Sequence, residues 1–299
     1  MSTTDTPTAI ESPGQPGPRL VKLAGLLDEW QADAEAAHQA RVNGVPRGPV
    51  TGFPHLDADL GGCLHPGINV LHGGPGVGKT AFALQVAASC GCPALFVTCE
   101  MGTLELFRRV TARTTETFLG RLKSGELPPA RSFELARQAA ATAPHLAFLD
   151  ATQAFASPAL LRDAAAVVRG NAPHILLVVD SLHSWAEAGY AEAQEYEALN
   201  AAVAGLRALG GELRGPVLAI AERNRASMET GGLHAGAGSR KIEYGGEAVI
   251  GLAAPKEDIR PDAAGEVEIT VTVHKNRHGA TGTKHKLRWH GALQRFREV

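Results

Sequence analysis

The sequence predicts an α/β fold in which a mostly parallel central sheet is flanked by helices. From Gly48 onward, short runs rich in Val, Leu and Ile alternate with Ala-rich stretches of helical length, which is typical of strand–helix–strand units. The chain has 299 residues, 44% of them hydrophobic, enough to bury one substantial core or two small ones. One large α/β domain over residues 48–299 is the simpler interpretation.

Two segments precede this domain. Residues 1–18 are rich in Thr, Pro, Ser and Gly and have almost nothing to bury, so we expect a disordered tail. The segment 19–47 contains a predicted helix from about residue 20 to residue 40. Its apolar side chains recur at helical spacing and form one stripe, hereafter the N-terminal stripe, of Leu20, Leu23, Leu26, Leu27 and Trp30. From the pattern alone, the stripe packs either on its own domain or on a partner subunit.

The strands are predicted where short apolar runs are bounded by Gly, Pro or charged residues. In chain order these runs are 68–72, 94–98, 146–149, 174–179, 216–221, 248–252, 267–274 and 287–289. The last run is expected to pair with the one before it as a β-hairpin at the edge of the sheet. Helices are predicted where Ala and Leu recur at helical spacing between these strands, over 80–90, 104–122, 131–141, 158–169 and 192–209.

The run GGPGVGKT matches the phosphate-loop pattern G-x-x-x-x-G-K-[ST] at every fixed position. Its glycines let backbone N–H groups turn inward around the phosphates of a nucleoside triphosphate such as ATP. Lys79 supplies a point charge and Thr80 a ligand for Mg²⁺, between a predicted strand and the N-terminus of a predicted helix. The predicted nucleotide contacts are Gly73, Gly74, Pro75, Gly76, Val77, Gly78, Lys79, Thr80 and Ala81.

Two carboxylates follow other predicted strands. Asp180 comes after the apolar run HILLVV, where phosphate-loop enzymes place the carboxylate that holds hydrated Mg²⁺; a helix cap is the structural alternative. Glu100 follows the strand ALFVT. Because parallel strands end at the same edge of a sheet, Glu100 is expected near the γ-phosphate, as the base that orients the attacking water. A solvated residue at the start of a helix is its structural alternative.

Two cations end the run VEITVTVHKNR. Every second residue from Val267 to Val273 lies on one face of the predicted strand, and Lys275 and Arg277 continue that spacing. Their two side chains are therefore expected to point the same way. Such a pair suits an anion, either a γ-phosphate held by a neighbouring subunit or a nucleic-acid phosphate. A solvated charged strand end remains the alternative.

The composition and charge of the chain argue against several other functional classes of protein. A net charge of −2 gives no global attraction to nucleic acid or anionic membrane. The chain shows no signal peptide and no apolar stretch long enough to span a bilayer, so we expect a cytoplasmic protein with no membrane partner. Of the cysteines, Cys63, Cys90, Cys92 and Cys99, only the middle two are close in sequence. Buried thiols are the better interpretation than a zinc site.

The chain from about Thr51 to Phe296 resembles the DnaB-type replicative helicases, whose ATPase domain has the RecA fold. Several motifs occur in the family's order. They are TGFPHLDADLGG (51–62), the phosphate loop, CEMGTLELFRR (99–109), KSGEL (123–127), AERNRAS (221–227), SRKIEYGGEAVIGL (239–252) and HKNRHGATGTKHKLRWHGALQRF (274–296). We expect the family's N-terminal helical domain to be missing, because the residues before this stretch leave no room for it.

The resemblance implies a ring of six subunits that hydrolyses Mg²⁺–ATP between neighbouring subunits. Lys79 and Thr80 would bind phosphate and metal, Asp180 would hold the metal, and Glu100 would activate water. Lys275 and Arg277 would reach the site of the next subunit as catalytic cations. The N-terminal stripe occupies the place of the family's linker helix, which docks on a neighbouring subunit.

The resemblance also implies single-stranded DNA in the central channel, touched by the loops after Asp180 and around Arg225, Arg240 and Lys241. Glu222 stands where the family's sensor has a glutamine, which removes a donor and adds a charge near the γ-phosphate. A loader or replication-initiator protein is a possible partner, in plasmid, phage or chromosomal replication. The alternative is a RecA- or KaiC-like ATPase whose nucleotide state controls an assembly or a partner protein without unwinding DNA.

Overall fold

A computed structural model describes residues 20–222, 245–255 and 261–299, and the chain divides into two compact units, Met1–Arg47 and Gly48–Val299. In the first unit, a 3₁₀ turn over Leu23–Leu26 leads into helix α1, Leu27–Asn43, which ends at Gly44 in the left-handed conformation. The predicted helix is confirmed from Leu27 onward, but Leu20 precedes it and Leu23 and Leu26 lie in the 3₁₀ turn, so only Leu27 and Trp30 of the N-terminal stripe are on α1. No residue of α1 is buried, and Leu27 and Trp30 of the N-terminal stripe are 66% and 77% exposed.

The second unit contains the remaining elements. Its described helices are α2 (Pro54–Asp59), α3 (Lys79–Ser89), α4 (Thr103–Thr114), α5 (Leu119–Ser124), α6 (Pro129–Thr142), α7 (Pro158–Arg169), α8 (Leu182–Gly189) and α9 (Glu195–Leu213). Its described strands are β1 (Gly67–Gly73), β2 (Ala94–Thr98), β3 (Leu146–Asp150), β4 (Leu176–Asp180), β5 (Pro216–Glu222), β6 (Ala248–Ala253), β7 (Glu266–Asn276), β8 (Lys284–His290) and β9 (Arg295–Glu298).

The strands form one sheet in the order β3-β2-β4-β5-β1-β6-β7-β8-β9. The first six are parallel, and the last three are antiparallel. The α/β fold with a mostly parallel sheet is confirmed, as is the C-terminal hairpin, to which β9 adds a strand that the sequence pattern did not predict. Strand β1 lies between β5 and β6, so the residues that follow it emerge from the middle of the sheet.

Successive side chains of the strands point to opposite faces of the sheet and pack into two hydrophobic cores, one on each face. On one face, Phe82 of α3 stacks on Phe53 at 5.1 Å and meets Phe296 of β9 edge-on at 5.4 Å between ring centroids. On the other face, α7, α8 and α9 pack on the sheet, with Leu161 and Trp185 fully buried. Both faces of the sheet are thus covered, as the continuous apolar strands require.

One predicted helix differs from the structure, and the short helices α2 and α8 lie outside every predicted helix. The helix expected over 104–122 is divided into α4 and α5, because Glu116 between them takes a positive φ of 51° that a continuing helix does not allow. Helix α8, after Asp180, was not predicted; Ser181 caps it by accepting a hydrogen bond from the backbone N–H of Ser184.

Candidate nucleotide-binding site

The phosphate loop connects β1 to α3, as the sequence predicts. Gly76 and Gly78 have φ values of 77° and 92°, a backbone conformation that glycine adopts without strain. The Lys79 ammonium donates to the carbonyl oxygens of Gly73 and Gly74, at 3.0 and 3.1 Å, so its side chain folds back across the loop. The N-terminus of α3 faces the same loop, and its free N–H groups favour an anion there.

Lys79 is half-buried beside three acidic side chains. Burial lowers the pKa of its ammonium below the ordinary value, while the charges of Glu222, Asp180 and Glu100 act in the opposite direction. The Lys79 ammonium is therefore available to bind a phosphate. A bound phosphate would replace the carbonyl oxygens of the loop as the acceptor of its hydrogen bonds.

Asp180 ends β4 and is only 7% exposed. Burial raises the pKa of its carboxyl to about 6, although a hydrogen bond with the Thr80 side chain and the charges of Lys79 and Arg109 partly oppose that rise. The hydroxyl of Thr80 and the carboxylate of Asp180 are therefore adjacent. Both offer hard oxygen ligands beside the phosphate loop, so this donor set fits Mg²⁺.

Glu100 follows β2 and is held by two hydroxyl groups. Its Oε1 atom accepts hydrogen bonds from Ser181 Oγ at 2.5 Å and from Ser184 Oγ at 2.6 Å. The neighbouring backbone is tied as well, because the Cys99 N–H donates to the Asp180 carbonyl at 2.7 Å. Neither serine is predicted from the sequence, because the run DSLHS after an apolar strand marks their position but their pairing with Glu100 arises only in the tertiary structure.

Glu222 ends β5 and pairs with Gly73 in the parallel register. Its backbone N–H donates to Nδ1 of His183 at 3.3 Å, and burial lowers the pKa of that imidazole. The structure therefore brings Glu222, Glu100 and Asp180 to the same edge of the sheet as the phosphate loop, as parallel strands require.

Lys275 and Arg277 lie at the opposite edge. β7 runs antiparallel to β6, and Lys275 of β7 pairs with Val249 of β6. The end of β1 that leads into the phosphate loop pairs with Leu252 of β6, which in turn pairs with Val271 of β7. Three residues of β6, from Val249 to Leu252, separate those levels, which is about 10 Å. The structure does not bring either cation to the phosphate loop of its own chain. Instead, Nε of Arg277 lies 3.9 Å from Oε2 of Glu247, and the Arg277 side chain is half-exposed.

The predicted unbroken alternation along β7 is wrong at His274. Val249 pairs with Lys275 while the next residue, Ile250, pairs with Val273, so β7 carries one extra residue, a β-bulge. Ile250 and Val273 belong to one core and Val249 to the other. Lys275 therefore lies on the opposite face of the sheet from Val273, although the sequence pattern predicts both residues on one face.

The predicted DNA contacts Arg225, Arg240 and Lys241 lie outside the described residues, as does the predicted tail 1–18. Over the ranges that the structure describes, no group of three or more His, Cys, Asp or Glu side chains is placed to hold a metal ion. Within the same ranges, no helix combines the length and hydrophobicity needed to cross a membrane.

Comparison with known proteins gives a consistent result. The sequence profile of the DnaB-like helicase C-terminal domain matches residues 48–298. The replicative DNA helicase DnaB of Nostoc sp. strain PCC 7120 is 27% identical over 217 residues, which cover 71% of this chain and 24% of that protein. The matched part is thus about a quarter of the length of that relative.

Solved structures share the fold. One of them, a separate ATPase domain, has a TM-score of 0.77 at 17% identity, over 92% of this chain and 98% of that one. A DnaB-like replicative helicase, solved with its interactions with primase, has a TM-score of 0.75 at 16% identity, over 95% and 69%. A KaiC-like protein of the archaeon Pyrococcus horikoshii has a TM-score of 0.56 at 20% identity, over 85% and 99%. The fold is therefore that of RecA-like helicase ATPase domains.

Proposed function

The chain belongs to the family of DnaB-like helicase C-terminal domains, and on that premise we propose that it is an ATP-dependent DNA helicase or translocase that acts on single-stranded DNA as a ring. The observation that carries this proposal is the convergence of the phosphate loop, Asp180, Glu100 and Glu222 at one edge of the sheet. That edge holds the phosphate-binding, metal-binding and water-activating groups that one chain contributes to nucleotide hydrolysis.

Each residue has a role in this proposal. The backbone of the phosphate loop and Lys79 bind the phosphates, and Thr80 and Asp180 hold Mg²⁺, which when bound neutralises charge on the β- and γ-phosphates. Glu100 orients the attacking water as general base. Ser181 and Ser184 position its carboxylate, because both hydroxyls donate to the same oxygen. Glu222 senses the γ-phosphate at the end of β5.

Lys275 and Arg277 act on the site of a neighbouring subunit. About 10 Å along β6 separates Lys275 from the level of its own phosphate loop, so a role at a phosphate requires a second copy. Cations supplied across an interface stabilise the charge of the transition state and contribute on the order of 10³-fold or more to the rate. Hydrolysis is thus expected to depend on assembly into a ring of six.

The N-terminal stripe supplies one contact of that ring. Leu20, Leu23, Leu27 and Trp30 are more than half exposed, and large apolar side chains grouped this closely along the chain are costly to expose to water. The unit 48–299 offers an apolar cavity of about 490 Å³ between α4 and α6, lined in part by Leu104, Phe107 and Phe148. In the proposed ring, the stripe of one copy packs on this unit of the next.

Single-stranded DNA is the proposed nucleic-acid partner. The loops after Asp180 and around Arg225, Arg240 and Lys241 would contact its backbone in the channel without reading sequence. A loader or replication-initiator protein would place the ring on DNA, in plasmid, phage or chromosomal replication in the cytoplasm.

A second candidate is a RecA- or KaiC-like ATPase that switches an assembly or a partner protein. The carboxylate of Glu222 favours it, because a charge replaces the amide donor at the sensor position and changes the link between hydrolysis and DNA movement. The two candidates differ in whether DNA alters ATP hydrolysis and whether ATP hydrolysis separates strands.

A strand-displacement assay tests the proposal. The wild-type protein is incubated with a fluorescently labelled forked duplex and Mg²⁺–ATP, and Glu100→Gln serves as the matched control because it keeps the size and the hydrogen-bond acceptor of the side chain. We expect strand separation by wild type and none by the variant, with ATP binding retained. Hydrolysis without strand separation or movement on DNA would favour the assembly switch.

Subunit mixing tests the shared site. Arg277→Ala is expected to abolish hydrolysis while leaving ATP binding largely intact, and Lys79→Ala is expected to abolish turnover at its own site. Mixed rings should recover activity, because some interfaces combine an intact phosphate loop with an intact Arg277. Absence of rescue at every ratio would count against the trans role.

A further inference from the structure

Two cysteines flank the turn that joins α3 to β2. α3 ends at Ser89, Cys90 caps it, and β2 begins at Ala94. Between the two cysteines, Gly91 has a φ of 78°, a left-handed conformation that reverses the chain. The Sγ atoms of Cys90 and Cys92 lie 3.6 Å apart as a result, which is contact distance for two sulfur atoms.

The surroundings hold these thiols in place, with Cys90 buried and Cys92 partly exposed. The carbonyl oxygens of Ala87 and Cys92 lie 3.5 and 3.3 Å from Cys90 Sγ, and that of Pro93 lies 3.4 Å from Cys92 Sγ, so each thiol has alternative acceptors for its single hydrogen. Both cysteines line an open cavity of about 190 Å³ whose far side is formed by residues 142–146. Because one water occupies about 30 Å³ of liquid, a molecule as small as hydrogen peroxide fits beside the pair.

The other two cysteines are in settings that disfavour reaction. Burial raises the pKa of Cys99 to about 12, and the charges of Asp180 and Glu100 act in the same direction, so its thiol stays protonated near neutral pH. Cys63 is buried. In contrast, the hydrogen bond from Cys92 lowers the pKa of Cys90, because one S–H group stabilises the thiolate of its neighbour.

We propose that Cys90 and Cys92 are a redox-active dithiol that hydrogen peroxide converts into an intramolecular disulfide. The thiolate of the pair attacks one peroxide oxygen; the O–O bond breaks, giving a sulfenic acid and a hydroxide that leaves as water. The second thiol loses its proton and attacks the sulfenic sulfur, which expels the oxygen as a second water. Two thiols are oxidised and one peroxide is reduced. The sulfur atoms must approach from 3.6 Å to about 2.0 Å.

The modification is separate from the proposed catalytic site. The pair lies beyond the C-terminal end of α3, whereas Lys79 begins the same helix, so its 11 residues separate them by about 16 Å. Chemistry at the pair can therefore be followed without any assay of ATP hydrolysis, and its outcome does not depend on the proposed function.

Thiol mapping by mass spectrometry tests the proposal. Reduced full-length protein is treated with hydrogen peroxide, unfolded and alkylated. We expect a mass loss of two hydrogen atoms, protection of Cys90 and Cys92 together, alkylation of Cys63 and Cys99, and full reversal by dithiothreitol. Loss of free thiol in wild type should be at least about tenfold faster than in Cys92→Ser, which lacks the partner sulfur.

Two control variants make the test decisive. The double variant Cys63→Ser, Cys99→Ser should form the same disulfide, because neither residue takes part. Gly91→Ala retains both thiols but strains the turn, and its new Cβ meets open space, so it should slow disulfide formation without a steric clash. The proposal is overturned if peroxide adds oxygen to one cysteine without protecting the pair, if all four thiols react alike, or if disulfides form only between chains.

Discussion

Asp180→Asn is expected to stabilise the nucleotide-free protein at neutral pH while it abolishes ATP hydrolysis. The carboxyl of Asp180 is buried, and its pKa is raised from 3.8 to about 6 in the folded state. At pH 7.5 the group is ionised in both the folded and the unfolded chain, so the folded state bears the full cost of burying the charge. Each pH unit between the two pKa values corresponds to about 1.4 kcal/mol, which gives a cost of about 3 kcal/mol.

The sign of the pH dependence follows from the same values. Between pH 3.8 and about 6 the folded protein holds more protons at this site than the unfolded protein, so the stability of wild type falls as the pH rises. The asparagine variant has no such group, and its side-chain oxygen can still accept the hydrogen bond from Thr80. Its advantage is therefore largest above pH 6 and disappears towards pH 4.

Urea unfolding in the presence of a metal chelator, without nucleotide, measures this difference. Asp163→Asn is the matched control, because Asp163 is exposed on α7 and should change the free energy of unfolding by less than about 0.5 kcal/mol. A variant at Asp180 that is less stable than wild type at pH 7.5, or a difference that does not change with pH, would refute the reasoning. Mg²⁺–ADP should stabilise wild type more than the variant, because Asp180 is the proposed metal ligand.

Three further perturbations have defined outcomes. Gly78→Ala should cost about 1–3 kcal/mol in urea unfolding and weaken nucleotide binding, because φ is 92° and a Cβ would lie 2.9 Å from Phe296; an unchanged midpoint would contradict this. Leu161→Ala should cost about 2–5 kcal/mol, while its half-exposed neighbour Leu160→Ala should cost less than about 1 kcal/mol; similar losses would contradict the assigned core. Trp30→Ala should leave the unfolding midpoint unchanged and reduce the mass of the assembly in sedimentation, because Trp30 is exposed in the single chain. An assembly of unchanged mass would contradict the proposed packing of the N-terminal stripe.

Much of the site could be predicted because local patterns determine it. The phosphate loop is contiguous, so its spacing alone places Lys79 and Thr80 between a strand and a helix. Asp180 and Glu100 follow apolar strands, and parallel strands end at one edge, so the sheet brings them together without any further information.

Other features depend on tertiary contacts that no local pattern records. The hydroxyls of Ser181 and Ser184 reach Glu100 across 81 and 84 residues of sequence, because β4, which precedes them, pairs with β2, which precedes Glu100. The β-bulge at His274 reverses the face of Lys275, although strict alternation describes the preceding residues. The left-handed turn at Gly91 brings together two thiols that spacing alone had assigned to the core.

Steady-state ATP hydrolysis with and without single-stranded DNA, at two salt concentrations, tests the central claim most directly. A DNA motor that contacts the phosphate backbone should show a several-fold stimulation by DNA that weakens as salt rises, because each neutralised phosphate releases counterions. Hydrolysis that is robust but indifferent to DNA at both salt concentrations would contradict the helicase account and favour an ATPase that controls an assembly.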